Sequence, residues 1–134
     1  MHRFVLSLPD ARYSRAVAAN PGWYTMPSFD IKFPYGLKGS PVTETSLRKS
    51  LGRDVVILLG DRDTNPHDPE MRQKAEAKEQ GATRFERGHN FFKEAGNRAA
   101  ELKCAFSWRL QVVRGAQHSN RQMSRAGAAA LMGR

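Results

Sequence analysis

Asp54-Val55-Val56-Ile57-Leu58-Leu59-Gly60 constrains this chain more than any other segment. Five consecutive apolar residues, three of them β-branched, suit a strand buried on both faces. That pattern belongs to parallel sheets, whose two faces are both covered. Parallel strands cannot be joined by a hairpin and need crossover connections, usually helices. Helical segments should therefore separate the strands, and the rest of the sequence supplies both.

Residues 15–20 read as a short, alanine-rich buried strand, and residues 106–113 as another. Between them lie helical patterns. Residues 43–52 can be capped by Thr43 and ended by Gly52. Residues 69–80 place Pro69 where a first-turn proline is tolerated, with Gly81 closing the helix. Residues 88–103 carry Phe91, Phe92, Ala95, Ala99 and Leu102 on roughly one side. Residues 120–132 use Met123, Ala126, Ala130 and Leu131. Residues 1–8 read as the end of a helix, with Met1, Phe4, Val5 and Leu8 on one face and Pro9-Asp10 as its stop. The order predicts an α/β fold, about three parallel strands flanked by helices, in one unit spanning residues 1–134. Three strands make a small sheet, and the first is apolar enough to want neighbours.

Residues 20–42 form a long loop rich in proline and glycine. It holds Trp23, Tyr24, Phe29, Phe33 and Tyr35, five of the chain's twelve aromatics. Long ordered loops are often functional, but aromatics also pin loops to cores, and both readings stay open.

Composition narrows the function classes. Hydrophobic residues make up 40% of the 134, which argues against global disorder. The net charge of +9 raises the question of a nucleic-acid partner. Its best carrier is the acid-free stretch 103–134, with Lys103, Arg109, Arg114, Arg121, Arg125 and Arg134. The bases are otherwise scattered, and no zinc spacing, RNA-recognition motif or helix-turn-helix accompanies them, so a generally basic surface is favoured. The single cysteine, Cys104, permits no intrachain disulfide. No segment approaches the ~20 apolar residues of a membrane helix. The apolar run near the N-terminus is cut off by Pro9, too early for a signal peptide. A cytoplasmic location is expected.

In parallel sheets, ligands bind beyond the carboxyl ends of the strands. After the central strand comes Gly60-Asp61-Arg62-Asp63-Thr64-Asn65-Pro66, and after the last comes Arg114-Gly115-Ala116-Gln117-His118-Ser119-Asn120. One loop offers a carboxylate and the later one a histidine. A carboxylate that accepts one imidazole N–H fixes the tautomer and frees the other nitrogen as a general base. Taken singly, Asp63 could merely hold its turn and His118 could be a packing residue.

Leu58-Leu59-Gly60-Asp61-Arg62-Asp63 resembles the acid-bearing strand of α/β-hydrolases, where the aspartate falls three residues after glycine; that rule picks Asp63 over Asp61. Val113-Arg114-Gly115-Ala116-Gln117-His118 resembles the family's Gly-x-x-His turn, and the order of acid before histidine matches. Residues 80–92 and 18–27 resemble corresponding stretches of a bacterial, depolymerase-like subgroup. The resemblance implies acyl-ester hydrolysis of a small-molecule substrate by a Ser-Asp-His triad, with Asp63 and His118 catalytic and no metal or organic cofactor. Asn20, Trp23 and Tyr24, which follow a strand, become candidates for the substrate pocket.

The family's nucleophile motif, Gly-x-Ser-x-Gly, does not occur in the sequence. Residues 1–8 resemble the helix that follows that motif, so the serine is expected just ahead of Met1. Ser7, Ser14, Ser119 and Cys104 are substitutes by chemistry only, since none sits on a glycine-flanked turn. Without a nucleophile the chain should be inactive, and an exposed apolar sheet edge should favour association with a complementing N-terminal half or with a second copy. Asp61-x-Asp63-x-Asn65 fails as a calcium loop, because Pro66 replaces the needed glycine and Arg72 the closing glutamate. His67 and His89 lack partners at metal spacing and read as surface residues.

Overall fold

A computed structural model describes residues 1–133. The element order is α1 (His2–Ser7), β1 (Ala16–Ala19), α2 (Glu44–Leu51), β2 (Val55–Gly60), α3 (Ala75–Glu79), α4 (Arg84–Leu102), β3 (Trp108–Val113) and α5 (Asn120–Met132). The three strands form one parallel sheet in the order β1-β2-β3. Ala16 lies opposite Val55, and Val55 opposite Trp108. All six residues of β2 are buried. Val55, Ile57 and Leu59 pack with Val5 and Leu6 of α1, Leu47 and Leu51 of α2, and Phe91, Ala95 and Ala99 of α4. Leu58 turns the other way, onto Met123 of α5 and Ala116. The alternation of strand side chains thus sends one strand into two cores.

α2 begins as expected. Thr43 accepts from the Ser46 N–H while the Ser46 hydroxyl accepts from the Thr43 N–H, a reciprocal cap. Three other expectations need correction. The helix read over 69–80 is only Ala75–Glu79. Residues 69–72 are drawn into a turn instead: Met71 is buried, the Arg72 carbonyl accepts from Arg87, and the Arg72 Nε donates to the Tyr35 hydroxyl. Tertiary partners there outweigh helix propensity. The next helix begins at Arg84 rather than at residue 88, because Thr83 caps it by accepting from the Glu86 N–H. In α1 the buried face is His2, Val5 and Leu6, whereas Met1, Phe4 and Leu8 are exposed. The helix is pinned through its backbone, since the Ser50 hydroxyl donates to the Val5 carbonyl, and this rotation buries His2 against Tyr24 and Phe91.

The loop of residues 20–42 is largely fastened to the core, with Tyr24, Met26, Tyr35, Leu37 and Val42 buried. At the acid-free end, Arg109 pairs with Asp54 at 2.6 Å, Arg114, Arg121 and Arg125 are exposed, and Arg134 lies outside the described residues. No helix among the described residues is long and apolar enough to cross a membrane.

His2 accepts a 3.0 Å hydrogen bond from the Thr25 N–H, which requires a neutral ring. Burial is the main cause that pushes its pKa down to about 3, and the charge of Arg3 acts in the same direction. The unfolded chain takes up this proton below its ordinary pKa of about 6.5 and the folded chain does not until near 3. Stability should therefore fall as pH drops through that window, at about 1.4 kcal/mol per pH unit from this residue. His2→Gln keeps an acceptor for Thr25 and should remove that slope in urea melts between pH 6.5 and 5; an unchanged difference between the two proteins across that range would contradict the assignment. Gly60 ends β2 against the backbone of Ala116, where an added methyl would overlap the carbonyl. Gly60→Ala should cost about 1–3 kcal/mol of stability in the same assay.

Candidate functional site

The site forms where β2 and β3 end side by side. The exit of β2 turns sharply, with the Asp63 N–H donating to the Gly60 carbonyl at 3.2 Å. The loop after β3 turns at Gly115, whose φ of +73° suits glycine. Three bonds tie this second loop to its neighbours. The Asp61 carboxylate accepts from the Gly115 N–H at 2.7 Å. The Ala116 carbonyl accepts from the Arg62 N–H at 2.9 Å. The Gln117 carbonyl accepts from the Asn20 Nδ2 at 3.3 Å. Asn20 also accepts from the Gly60 N–H at 2.9 Å, so one side chain at the end of β1 bridges the ends of the other two strands.

The tied loops bring Asp63 Oδ2 to 3.0 Å from His118 Nδ1. Asp63 is buried and His118 is partly exposed, with 39% of its side chain accessible. A proton on Nδ1 would be donated to the carboxylate, leaving Nε2 with its lone pair toward solvent. No serine, threonine or cysteine side chain hydrogen-bonds to His118 among the described residues. Ser7 and Ser14 are exposed on and just after α1, Cys104 is partly buried beside the main core, and Ser119 caps α5 without a side-chain bond.

The other oxygen of Asp63 is held by a residue the sequence reading missed. Arg84 Nη1 donates to Asp63 Oδ1 at 3.1 Å and to Asp68 Oδ2 at 2.9 Å, and the Arg84 side chain is only 2% exposed. Burial opposes its charge, but the bonds to Asp68 and Asp63 outweigh that and raise its pKa. The same guanidinium, with the Glu70 N–H, holds the Asp68 carboxyl below the usual carboxylate range. One signal was available: a cation in the first turn of a helix meets the positive end of the helix dipole, so its position asks for another partner. Arg87, also buried, donates to the carbonyls of Gly22, Arg72 and Gly81 and so gathers three segments around the site.

The three pocket candidates part company. Asn20 is buried and acts as the strand-end bridge just described. Tyr24 is fully buried, stacked on Phe91 at 4.4 Å, with its backbone held at both ends by Gln80. Burial pushes its phenol well above the usual range. Trp23 is partly buried and lines a groove of about 360 Å³ with Gly22, Glu70, Arg72, Arg84 and His118. A second groove of about 390 Å³ runs on the other side of His118, along Arg62, Asp63, Thr64, Asn65, Asp68 and Gln117. His118 thus stands between two open grooves. Another concavity of about 320 Å³, lined by Met26, Ile31 and Tyr35, lacks both site residues. His67 is exposed and His89 rests edge-on against Phe85. No group of three or more His, Cys, Asp or Glu is placed to hold a metal among the described residues.

No protein-family model and no curated protein matches the chain. Solved structures do, two hydrolases among them. One is poly(aspartic acid) hydrolase-1 from Sphingomonas sp. KT-1, 46% identical, with a TM-score of 0.92 over 93% of this chain and 47% of that one. The other is LpqC, a poly(3-hydroxybutyrate) depolymerase from Bordetella parapertussis, 36% identical, with a TM-score of 0.92 over 99% of this chain and 46% of that one. The chain therefore spans about half the length of the solved structures it matches. Their likeness, together with the parallel sheet and the two loops at its carboxyl edge, shows that the chain has the fold of part of an α/β-hydrolase, like its C-terminal half.

Proposed function

We propose that residues 1–134 supply the acid and the base of a serine ester hydrolase, and that the nucleophile comes from a segment outside them. In this reading His118 Nε2 takes the proton of an incoming serine hydroxyl as that oxygen attacks the acyl carbon. It then gives the proton to the leaving alcohol, and water repeats the cycle to free the acid. Asp63 accepts from His118 Nδ1–H, holds the tautomer and stabilises the imidazolium. The single observation that carries the reading is the 3.0 Å contact between Asp63 and His118, made at the carboxyl ends of adjacent parallel strands where His118 lines two grooves. The two hydrolase relatives support the reaction class. No cofactor enters the reading.

One feature favours a partner segment. The Ala16 and Asn20 N–H groups bond to β2, so the alternating groups of Val17 and Ala19 point to the free edge of β1. Phe4, Met1 and Leu8 of α1 are exposed as well. A complementing half or a second copy is the kind of partner such a surface takes.

The test joins the N-terminal half of the Sphingomonas hydrolase ahead of Met1 and follows hydrolysis of a short-chain nitrophenyl ester. The 134-residue chain alone should show none above background. The joined protein should hydrolyse the ester, and Asp63→Asn should lower kcat about 10⁴-fold, with His118→Ala at least as severe. Ester hydrolysis by the 134 residues alone that depends on His118 would overturn the proposal, as would a joined enzyme indifferent to both residues.

A further inference from the structure

Trp23 is clasped by two guanidiniums. Arg3 lies 4.6 Å from its ring centroid and Arg72 lies 4.9 Å from it. Neither arginine is in ion-pair contact with a carboxylate among the described residues. Arg72 is nonetheless held in place: its Nε donates to the Tyr35 hydroxyl at 2.7 Å, and its backbone carbonyl is fixed by Arg87. Its terminal nitrogens have no partner among the described residues, on a stem already ordered by an aromatic wall. Trp23 and Arg72 line the same groove as His118.

From this we infer that the groove beside His118 contains a carboxylate-recognition subsite, built on Arg72 against Trp23, with the charge of Arg3 on the same ring. A planar guanidinium with free terminal N–H groups matches a carboxylate in two parallel hydrogen bonds, and stacking on an indole fixes its plane. Ordering the fork in advance removes much of the entropy cost of binding. The inference rests on the hydrolase reading and narrows its substrate to an acyl compound that bears a carboxylate close to the scissile bond. Among the described residues Glu70 is the one carboxylate lining this groove, and it is exposed, so it acts against an anionic ligand and sets the sign of a test.

Binding can be read without catalysis. The 134-residue chain is titrated with an oligo-aspartate of about ten residues, with succinate, and with a neutral end-capped 3-hydroxybutyrate oligomer, following calorimetry and tryptophan fluorescence. Oligo-aspartate should bind and the neutral oligomer should not. Arg72→Gln should weaken oligo-aspartate binding about tenfold or more, and Glu70→Gln should strengthen it. Lys78→Gln, which removes one exposed charge on α3 away from the groove, should change it less than twofold. Tighter binding of oligo-aspartate than of succinate assigns the subsite to a polymer, and equal binding assigns it to a small dicarboxylate; either result supports carboxylate recognition. The inference is overturned if no carboxylate binds, if Arg72→Gln and Lys78→Gln have equal effects, or if the neutral oligomer binds as well. Binding is read here without the nucleophile and ester hydrolysis is read in the joined protein, so a failed catalytic reading and a failed subsite give different results.

Discussion

β2 has neither a face nor a hydrogen-bonding edge left to water. Its six residues are buried, β1 and β3 pair with its two sides, and helices cover it above and below. Polar side chains are therefore confined to the two ends of this strand, Asp54 before it and the Asp61–Asp63 turn after it. Gly60 marks the second of these ends, and three residues later Asp63 emerges beside the loop from β3. The position of the carboxylate is thus a consequence of the strand's burial. The His118 loop inherits its position from the same strand, because Asp61 and Arg62 hold its backbone directly and Asn20 bridges it to Gly60.

A carboxylate buried to this extent needs compensation. Removing an ion from water costs several kcal/mol unless charge and hydrogen bonds replace the lost hydration. Arg84 provides both to one oxygen of Asp63 and leaves the other to His118. Its guanidinium is in turn shared with Asp68, which keeps a cation buried at the start of a helix. The arrangement gives one oxygen of Asp63 to the imidazole and the other to the guanidinium. In the proposed mechanism that is the property an orienting acid requires: it must accept from Nδ1 and not turn away.

The parallel fold and the Asp63–His118 pair were legible because each depends on local pattern. A five-residue apolar run, a glycine at its end and a polar loop are all contiguous in sequence. Arg84 was not legible in the same way, since its burial depends on Asp63 and Asp68, which are 21 and 16 residues away. Its place in the first turn of a helix asks for a partner, but nothing in the neighbouring sequence says which residues supply one. Tyr24 and Asn20 were read as pocket residues because they follow a strand, but that rule fixes where a loop starts and not which way its side chains turn. Tyr24 turns inward to stack on Phe91, and only Trp23 faces the groove. The same limit explains α1: periodicity finds an apolar stripe, but the bond from Ser50 to the Val5 carbonyl decides which stripe is buried.

The central claim is that Asp63 fixes the tautomer of His118. Long-range nitrogen–proton correlation spectra of the imidazole side chains test it most directly, since they report which ring nitrogen carries the proton in the neutral form. The account predicts that neutral His118 carries its proton on Nδ1, with Nε2 bare, and that Asp63→Ala abolishes this preference. A neutral ring protonated on Nε2, or a tautomer indifferent to Asp63, would contradict it.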